Sequence, residues 1–431
     1  MEIKYADLFC GLGGIRLGFE TALQSMGLEG KHVFSSEIKP HAVEAYKNNF
    51  GDIPKGDITQ IEAADIPDFN FLLAGFPCQA FSAAGRRLGF EDTRGTLFFD
   101  VARILKEKNP EGFLLENVEG LVTHDNGKTL ATMIGVLEDI GYTADWQVLD
   151  SKNFGLAQSR KRIYIYGTSS QAVKLEEVKP RFSSLADIIE YSTPAKETEF
   201  TRKLLKHYAI EDVIGKKIKD KRGGADNIHS WDFALKGKVS ASQKELLGLL
   251  LKQRRSKKWA EIYDIDWMDG MPLTIDMIST FYNDRNLKST LDDLVAKGYL
   301  AYEHPKKKED GKRVYDISKP KGYNIVTGKL SFEYSKILDP TGIAPTLVAT
   351  DVMRLGVPVG NGIRTLTVRE GLRLFGFPES YNLDFLKAKD AFDLLGNTVS
   401  IPVVTHVSTH VVKSTLAKEG ATNVTITRTA I

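Results

Sequence analysis

The sequence predicts an α/β protein: a doubly wound, mostly parallel sheet, with a second and smaller domain set into the chain. Three observations carry this. From the start to about residue 180, short apolar runs alternate with helical patterns, which is the rhythm of βαβ units. From about 185 to 340, strand signals thin out and lysine becomes frequent. From about 362 the α/β texture returns. A chain of 431 residues has room for two or three domains at roughly 150 residues each.

Tyr5 to Phe9 reads as the first strand, followed by a glycine turn and an amphipathic helix from Ile15 to Met26. His32 to Ser35 reads as a second strand. A helix follows from about Pro40 to Phe50, with proline suited to its first turn. Phe71 to Ala74, Phe113 to Leu115 and Arg162 to Tyr166 read as buried strands. In the middle region, Gln243 to Trp259 has helical spacing, and Thr274 can cap a helix over Ile275 to Tyr282. Asn286 to Lys297 supplies a third helix, stopped by Gly298. Tyr299 to Tyr302 and Arg313 to Ile317 look like strands, with an Asp310-Gly311 turn behind Lys306, Lys307 and Lys308. Helix-turn-helix plus a basic hairpin describes a winged-helix module over about 240–320, and such modules bind duplexes. A generic helical insertion fits the same pattern.

Composition narrows the class. Cys10 and Cys78 are the only cysteines, which excludes a disulfide framework and a multi-cysteine zinc site and suits a reducing compartment. No metal site is expected. The net charge is only +2, but it is unevenly spread. Residues 201–330 hold 27 Lys and Arg against 18 Asp and Glu, a net of +9, and the remainder carries −7. That split suggests one part meets an anionic partner. No signal-peptide core or membrane-length apolar run is evident, so an intracellular protein without membrane attachment is expected.

The chemistry should lie where strands end, because open α/β sheets bind ligands beyond their carboxyl edges. Asp7-Leu8-Phe9-Cys10-Gly11-Leu12-Gly13-Gly14 joins strand to helix and lets backbone approach a cofactor. Arg16 stands where a dinucleotide fingerprint needs glycine, and a tight structural turn explains the same glycines. Glu37, 23 residues beyond Gly14, can accept ribose hydroxyls. Asp57, before Ile58, can meet an adenine amino group. Together these outline an adenosine pocket. Most lone cysteines are inert and buried, but Phe76-Pro77-Cys78-Gln79 follows a strand directly, where a loop can expose a thiolate nucleophile. Ala80 to Asp92 reads as a mobile loop on which Arg86 and Arg87 can meet phosphates. Glu116 ends another strand, and a carboxyl beside apolar chain can serve as a proton donor. A cysteine nucleophile beside a carboxylic acid suits an electron-poor heteroaromatic ring, attacked on carbon while a ring nitrogen is protonated.

Taken in order, these motifs resemble the DNA cytosine-5 methyltransferases of bacterial restriction-modification systems. The resemblance covers 1–167 almost continuously and then about 335–405. It extends to Gln158-Ser159-Arg160-Lys161-Arg162, to Arg369-Glu370 with Arg373-Leu374-Phe375-Gly376-Phe377-Pro378, and to Gly396-Asn397-Thr398-Val399. It implies a Rossmann-like S-adenosylmethionine-dependent catalytic domain and a target-recognition domain. The cofactor would lie against Phe9, Gly11, Leu12, Gly13 and Gly14, with Glu37 and Ile38 on the ribose side and Asp57 and Ile58 at the adenine. Pro77, Leu97, Asn397 and Val399 would complete the pocket. The target cytosine would be flipped out of the duplex. Cys78 would attack its carbon 6, Glu116 would hold a proton on nitrogen 3, and Arg162 would hold the carbonyl oxygen. Arg160 would stabilise the thiolate and its surroundings. Asn117 would shape the strand end, and Cys10 is assigned to structure.

The expected domains are a catalytic one, 1–185 plus 391–431, and a target-recognition one, 186–390. Candidate DNA contacts are Gln79, Ser82, Arg86, Arg87, Lys306, Lys307 and Lys308. Double-stranded DNA is the expected partner, with a cognate restriction endonuclease acting separately. A monomer in the bacterial cytoplasm is expected. A tRNA cytosine-5 methyltransferase on the same scaffold, or a catalytically silent DNA-binding regulator, are the rival readings; intact Cys78 and Glu116 argue against the second.

Overall fold

A computed structural model describes residues 1–77, 97–221, 223–264, 270–309, 312–327, 332–348 and 352–417. They form two compact units. The first comprises 1–190, 340–352 and 367–431, and the second 191–339 and 353–366.

The first unit opens with β1 (Glu2–Leu8), α1 (Gly14–Ser25), β2 (Glu29–Ser36), α2 (Pro40–Phe50), β3 (Phe71–Gly75) and α3 (Leu97–Lys108). β4 (Gly112–Val118), α4 (Lys128–Asp139), β5 (Thr143–Asp150) and β6 (Lys161–Thr168) follow. The sheet order is β2-β1-β3-β4-β6-β5. The first four strands are parallel, as expected. β6 runs antiparallel to β4 and β5, which departs from the expectation at one edge. Only a single 3-10 turn (Ser151–Asn153) lies between β5 and β6, and a parallel pair would need a full crossover.

The second unit contains α5 (Glu199–His207), α6 (Ile210–Val213), β7 (Lys217–Ile218), β8 (Asn227–Ile228), α7 (Ala241–Gln253), α8 (Lys257–Tyr263), α9 (Ile275–Ser279) and α10 (Leu287–Ala296). β9 (Leu300–Glu303), β10 (Lys306–Glu309), β11 (Lys312–Tyr315), β12 (Gly322–Ile325), β13 (Lys336–Ile337), β14 (Leu355–Val359) and β15 (Gly362–Thr365) complete it. β15-β14-β13-β7-β8 form one small sheet over a core that includes Phe200, Leu204, Phe233 and Ile363. Helices α7 to α10 surround a separate core of Leu246, Leu250, Leu291 and Leu294. Thr274 caps α9 through its side chain, which accepts from the Met277 N–H, and Gly298 follows α10 at φ +76°. The strand pairing differs from the sequence reading. β9 pairs with β12, and the 313–315 segment pairs instead with the three lysines, which are themselves a strand. The turn residues 310–311 lie outside the described residues.

The chain then returns to the first unit as α11 (Val368–Arg373), α12 (Ala388–Asn397) and α13 (Ile401–Leu416). Side chains alternate across the sheet. Ala6, Leu72, Leu115 and Ile165 enter one core with residues of α3 and α4. Tyr5, Leu73, Leu114 and Tyr164 enter the other with residues of α1 and α13. α13 therefore covers a face that would otherwise lie bare. Residues 340–352 and 367–390, expected in the smaller domain, also pack in the first unit. The Ala344 N–H donates to the Ala157 carbonyl, and the Tyr381 hydroxyl to the Leu12 carbonyl.

Candidate active site

β1 lies between β2 and β3, reached from opposite sides, so its carboxyl end is a switch point where a crevice opens. Phe9 leaves the strand at φ +54°, a conformation that costs a phenylalanine about 1–3 kcal/mol. The Ser36 carbonyl holds the turn by accepting from the Cys10 N–H at 3.0 Å. Gly13 has φ +70°, and a Cβ there would lie 2.4 Å from the Phe50 ring. A Cβ on Gly14 would lie 2.9 Å from Val399 Cγ2. The glycine turn thus seats tightly against the segment that follows α12.

Glu37 is fixed by main chain on three sides. Its Oε2 accepts from the Gly11 N–H at 3.0 Å, and its Oε1 from those of Ile38 and Lys39, both at 2.8 Å. Asp57 Oδ1 accepts from the Thr59 N–H at 3.0 Å, which orients its carboxylate at the start of a short 3-10 turn. Both acids line a cavity of about 460 Å3, together with Phe9, Gly11, Leu12, Gly14, Ile38 and Ile58. Pro77, Leu97, Asn397 and Val399 line it as well. Gly13 does not; its place is in the turn.

Glu116, Arg160 and Arg162 line the same cavity. Gly75 pairs with Glu116 in the parallel ladder, so the end of β3 and the Glu116 carboxyl are neighbours. The Asn117 side chain donates to the Phe76 carbonyl at 3.0 Å. It shapes the strand end directly ahead of residue 78, as expected. Glu116 is buried, and Arg162 Nε lies 3.0 Å from its Oε1. Burial raises the Glu116 carboxyl above the usual range, while Arg162 and then Arg160 pull it down.

Arg160 is held by main-chain carbonyls. Its guanidinium donates to the carbonyls of Leu347 (3.0 Å), Gly396 (3.1 Å) and Thr398 (2.7 Å), and lies over the Phe375 ring. Burial pulls it down to about 10, with Arg162 adding to the effect. Gln158 does similar work, donating to the Leu374 carbonyl and accepting from the Leu347 N–H, both at 3.0 Å. The Gln158-to-Arg162 motif is therefore partly a clasp for residues 347, 374 and 396–398. Sequence reasoning missed Asp150, which accepts from the Arg160 N–H and the Ser159 hydroxyl, and Tyr381 beneath Leu12. Neither stands in a short motif.

Cys78, Gln79, Ser82, Arg86 and Arg87 lie outside the described residues. Cys10 is buried beside the turn, and burial, then Asp7 and Glu37, push its thiol up. Among the described residues, no group of three or more His, Cys, Asp or Glu is arranged to hold a metal, and no helix is long and apolar enough to cross a membrane.

Asp7 is fully buried near the end of β1, and neither of its carboxylate oxygens has a hydrogen-bond partner. Burial pushes it up to about 8. A carboxyl raised by folding contributes stability below its unfolded pKa and loses it as pH rises towards the folded one. Asp7→Asn, which cannot ionise, should therefore gain on the wild type by roughly 2–3 kcal/mol between pH 5.5 and 8.5. Urea unfolding at the two pH values checks this, and a constant difference would contradict it.

Comparison with known proteins gives the family. The pattern describing C-5 cytosine-specific DNA methylases matches residues 3–413. The Type II methyltransferase M.NlaIV of Neisseria lactamica is 56% identical over 415 residues, covering 94% of this chain and 98% of the relative. M.NgoBV of Neisseria gonorrhoeae is 55% identical over the same shares. M.BanI of Aneurinibacillus aneurinilyticus is 41% identical, covering 94% of each chain. The solved Dnmt2 methyltransferase of S. pombe shares the fold, with a TM-score of 0.53 at 16% identity over 96% of this chain and 99% of its own. The chain belongs to the C-5 cytosine-specific DNA methylase family and is a DNA cytosine-5 methyltransferase.

Proposed function

We propose that this methyltransferase uses S-adenosylmethionine held in the 460 Å3 cavity, and that it acts through a covalent bond between Cys78 and a flipped-out cytosine in a short duplex sequence. The observation that carries this reading is that the glycine turn, Glu37, Asp57, Glu116 and Arg162 border one cavity at the strand end that leads into Cys78. The cavity is of small-ligand size. The close seating of Gly14 on Val399 leaves no room for a side chain in the cradle, and Glu37 and Asp57 are held as oriented acceptors. These features suit an adenosine with an attached amino acid. When bound, S-adenosylmethionine supplies an electrophilic methyl group on sulfonium sulfur.

The chain's own residues do the rest. Glu37 takes the ribose hydroxyls and Asp57 the adenine amino group, with Ile38 and Ile58 as apolar walls. The Cys78 thiolate adds to carbon 6 of the cytosine. Glu116 keeps a proton on nitrogen 3, so that negative charge does not build up there and carbon 5 becomes nucleophilic. Arg162 holds both the Glu116 carboxyl and the cytosine carbonyl oxygen. After methylation, loss of the carbon-5 proton returns an electron pair to the ring and expels Cys78 as thiolate. Arg160 acts as a positioning residue, tying Gly396 and Thr398 beside the cavity.

The second unit is the target-recognition part. Its basic segment, net +9 over 201–330, supplies phosphate contacts. Gln79, Ser82, Arg86 and Arg87 would approach the DNA from the loop after Cys78. Type II relatives support a partner restriction endonuclease acting separately on the same site, in the bacterial cytoplasm. The test is tritium transfer from methyl-labelled S-adenosylmethionine, offered duplex DNA and tRNA in parallel. Label in DNA alone is expected, and label in tRNA alone would contradict the reading. Bisulfite sequencing of DNA from an expressing host then gives the site.

A further inference from the structure

Within the second unit, with α8 as an extra helix, α7, α9, α10 and β9 to β12 follow the order helix, strand, helix, helix, strand, hairpin, strand. Leu273 supplies the first strand position by bridging Tyr323 of β12, and β12 pairs with β9. This is winged-helix order, with β10–β11 as the wing and α10 as the helix that such modules ordinarily lay in the major groove.

The outward side of α10 is poorly suited to that task. Asp292 and Asp293 are exposed on it, and the cations beside them are already paired: Lys288 lies 2.6 Å from Asp292 and Lys297 2.5 Å from Asp293. The Tyr323 hydroxyl and the Gln243 amide also donate to these carboxylates. A face whose positive charges are spent on its own carboxylates has little attraction for phosphate.

The wing has the opposite character. Lys306 stands opposite Tyr315, and Lys308 opposite Arg313. By the two-residue period, all four share one face. Like charges directly across a ladder destabilise it, and an isolated two-stranded ribbon is marginal in water. Among the described residues, no carboxylate forms an ion pair with Lys306, Lys308 or Arg313. The acid at the wing's base, Glu303, accepts from the Tyr315 hydroxyl at 2.9 Å and from Asn324 at 2.6 Å. Lys306 rests over the Tyr315 ring, which holds its ammonium on this face. The charge left unmatched there is what a phosphate backbone neutralises.

We infer that the module meets duplex DNA through the wing face of Lys306, Lys308 and Arg313, each on a backbone phosphate, and that α10 is not its DNA-reading helix. The inference rests on DNA being the substrate. The experiment is equilibrium binding of the full-length protein to a duplex carrying its methylation site, from 50 to 200 mM NaCl. Each phosphate contact contributes about 0.9 to the slope of log affinity against log salt. The triple variant K306A/K308A/R313A should bind with a slope shallower by roughly three, and Lys308→Gln and Arg313→Gln alone by roughly one each. The charge-keeping K306R/K308R should retain the wild-type slope, and so should Lys288→Ala on α10. A wing variant with the wild-type slope, or a drop on changing Lys288 instead, would overturn the inference. Wild-type protein that neither bound nor methylated DNA would overturn the DNA reading itself, and this one with it.

Discussion

Cys78→Ser is expected to lower methyl transfer by on the order of 10^4-fold or more, while binding of S-adenosylhomocysteine to the same variant stays within about threefold of wild type. The argument is chemical. A neutral aromatic ring carbon does not attack a methyl group at a useful rate until a nucleophile has added to the ring, and a serine hydroxyl is far less available as an anion than a thiolate at neutral pH. The cofactor cavity is lined by residues before 78 and after 96 that the exchange leaves in place. Single-turnover transfer and calorimetric titration separate the two effects. A serine variant within tenfold of wild type would remove the nucleophile assignment.

Glu116→Gln is expected to lower kcat by about 10^2 to 10^4. The side chain is buried at the end of β4 beside Arg162, and two opposing influences act on it. Burial favours the neutral acid, and the guanidinium favours the carboxylate. Because burial prevails, the acid keeps its proton to a higher pH than an ordinary glutamate, and activity that needs this proton should fall as pH rises through the raised value. Arg162→Met removes the larger of the two cationic influences favouring the carboxylate, leaving Arg160. Its alkaline limb should therefore move to higher pH, whatever the loss in rate from the missing contact to the cytosine. A limb that moved to lower pH, or a glutamine variant with full activity, would show that Glu116 does not act as an acid.

Much of the fold was legible because it is written in short local patterns. Phe71-Leu72-Leu73-Ala74 and Phe113-Leu114-Leu115 are apolar on both faces because helices cover both sides of those strands. The helix expected at about Pro40 to Phe50 is present over those residues. β5 was missed because it lies at the sheet edge with Asp145, Trp146 and Gln147 exposed, and no apolar run marks it. The three wing lysines stand outside the strands expected from sequence; lysine seldom favours strands, and only pairing with 312–315 makes them one.

The site divides along the same line. Glu37, Asp57, Glu116 and Arg162 stand in short motifs that name them as candidates. The contacts of Arg160 could not be named in this way, because its carbonyl partners lie 187 to 238 residues away. The return of 340–352 to the first unit depends on backbone pairings such as Ala344 with Ala157, which no local composition announces.

The central claim is that cytosine is methylated while bonded to Cys78. A duplex with 5-fluorocytosine at the target tests it most directly, because fluorine cannot leave as a proton and the enzyme should be trapped after methyl transfer. A denaturant-resistant protein–DNA species that requires both S-adenosylmethionine and Cys78, with its mass including the transferred methyl group, is the expected result. Methylation of the ordinary duplex with no trapped species on the fluorinated one would contradict the account.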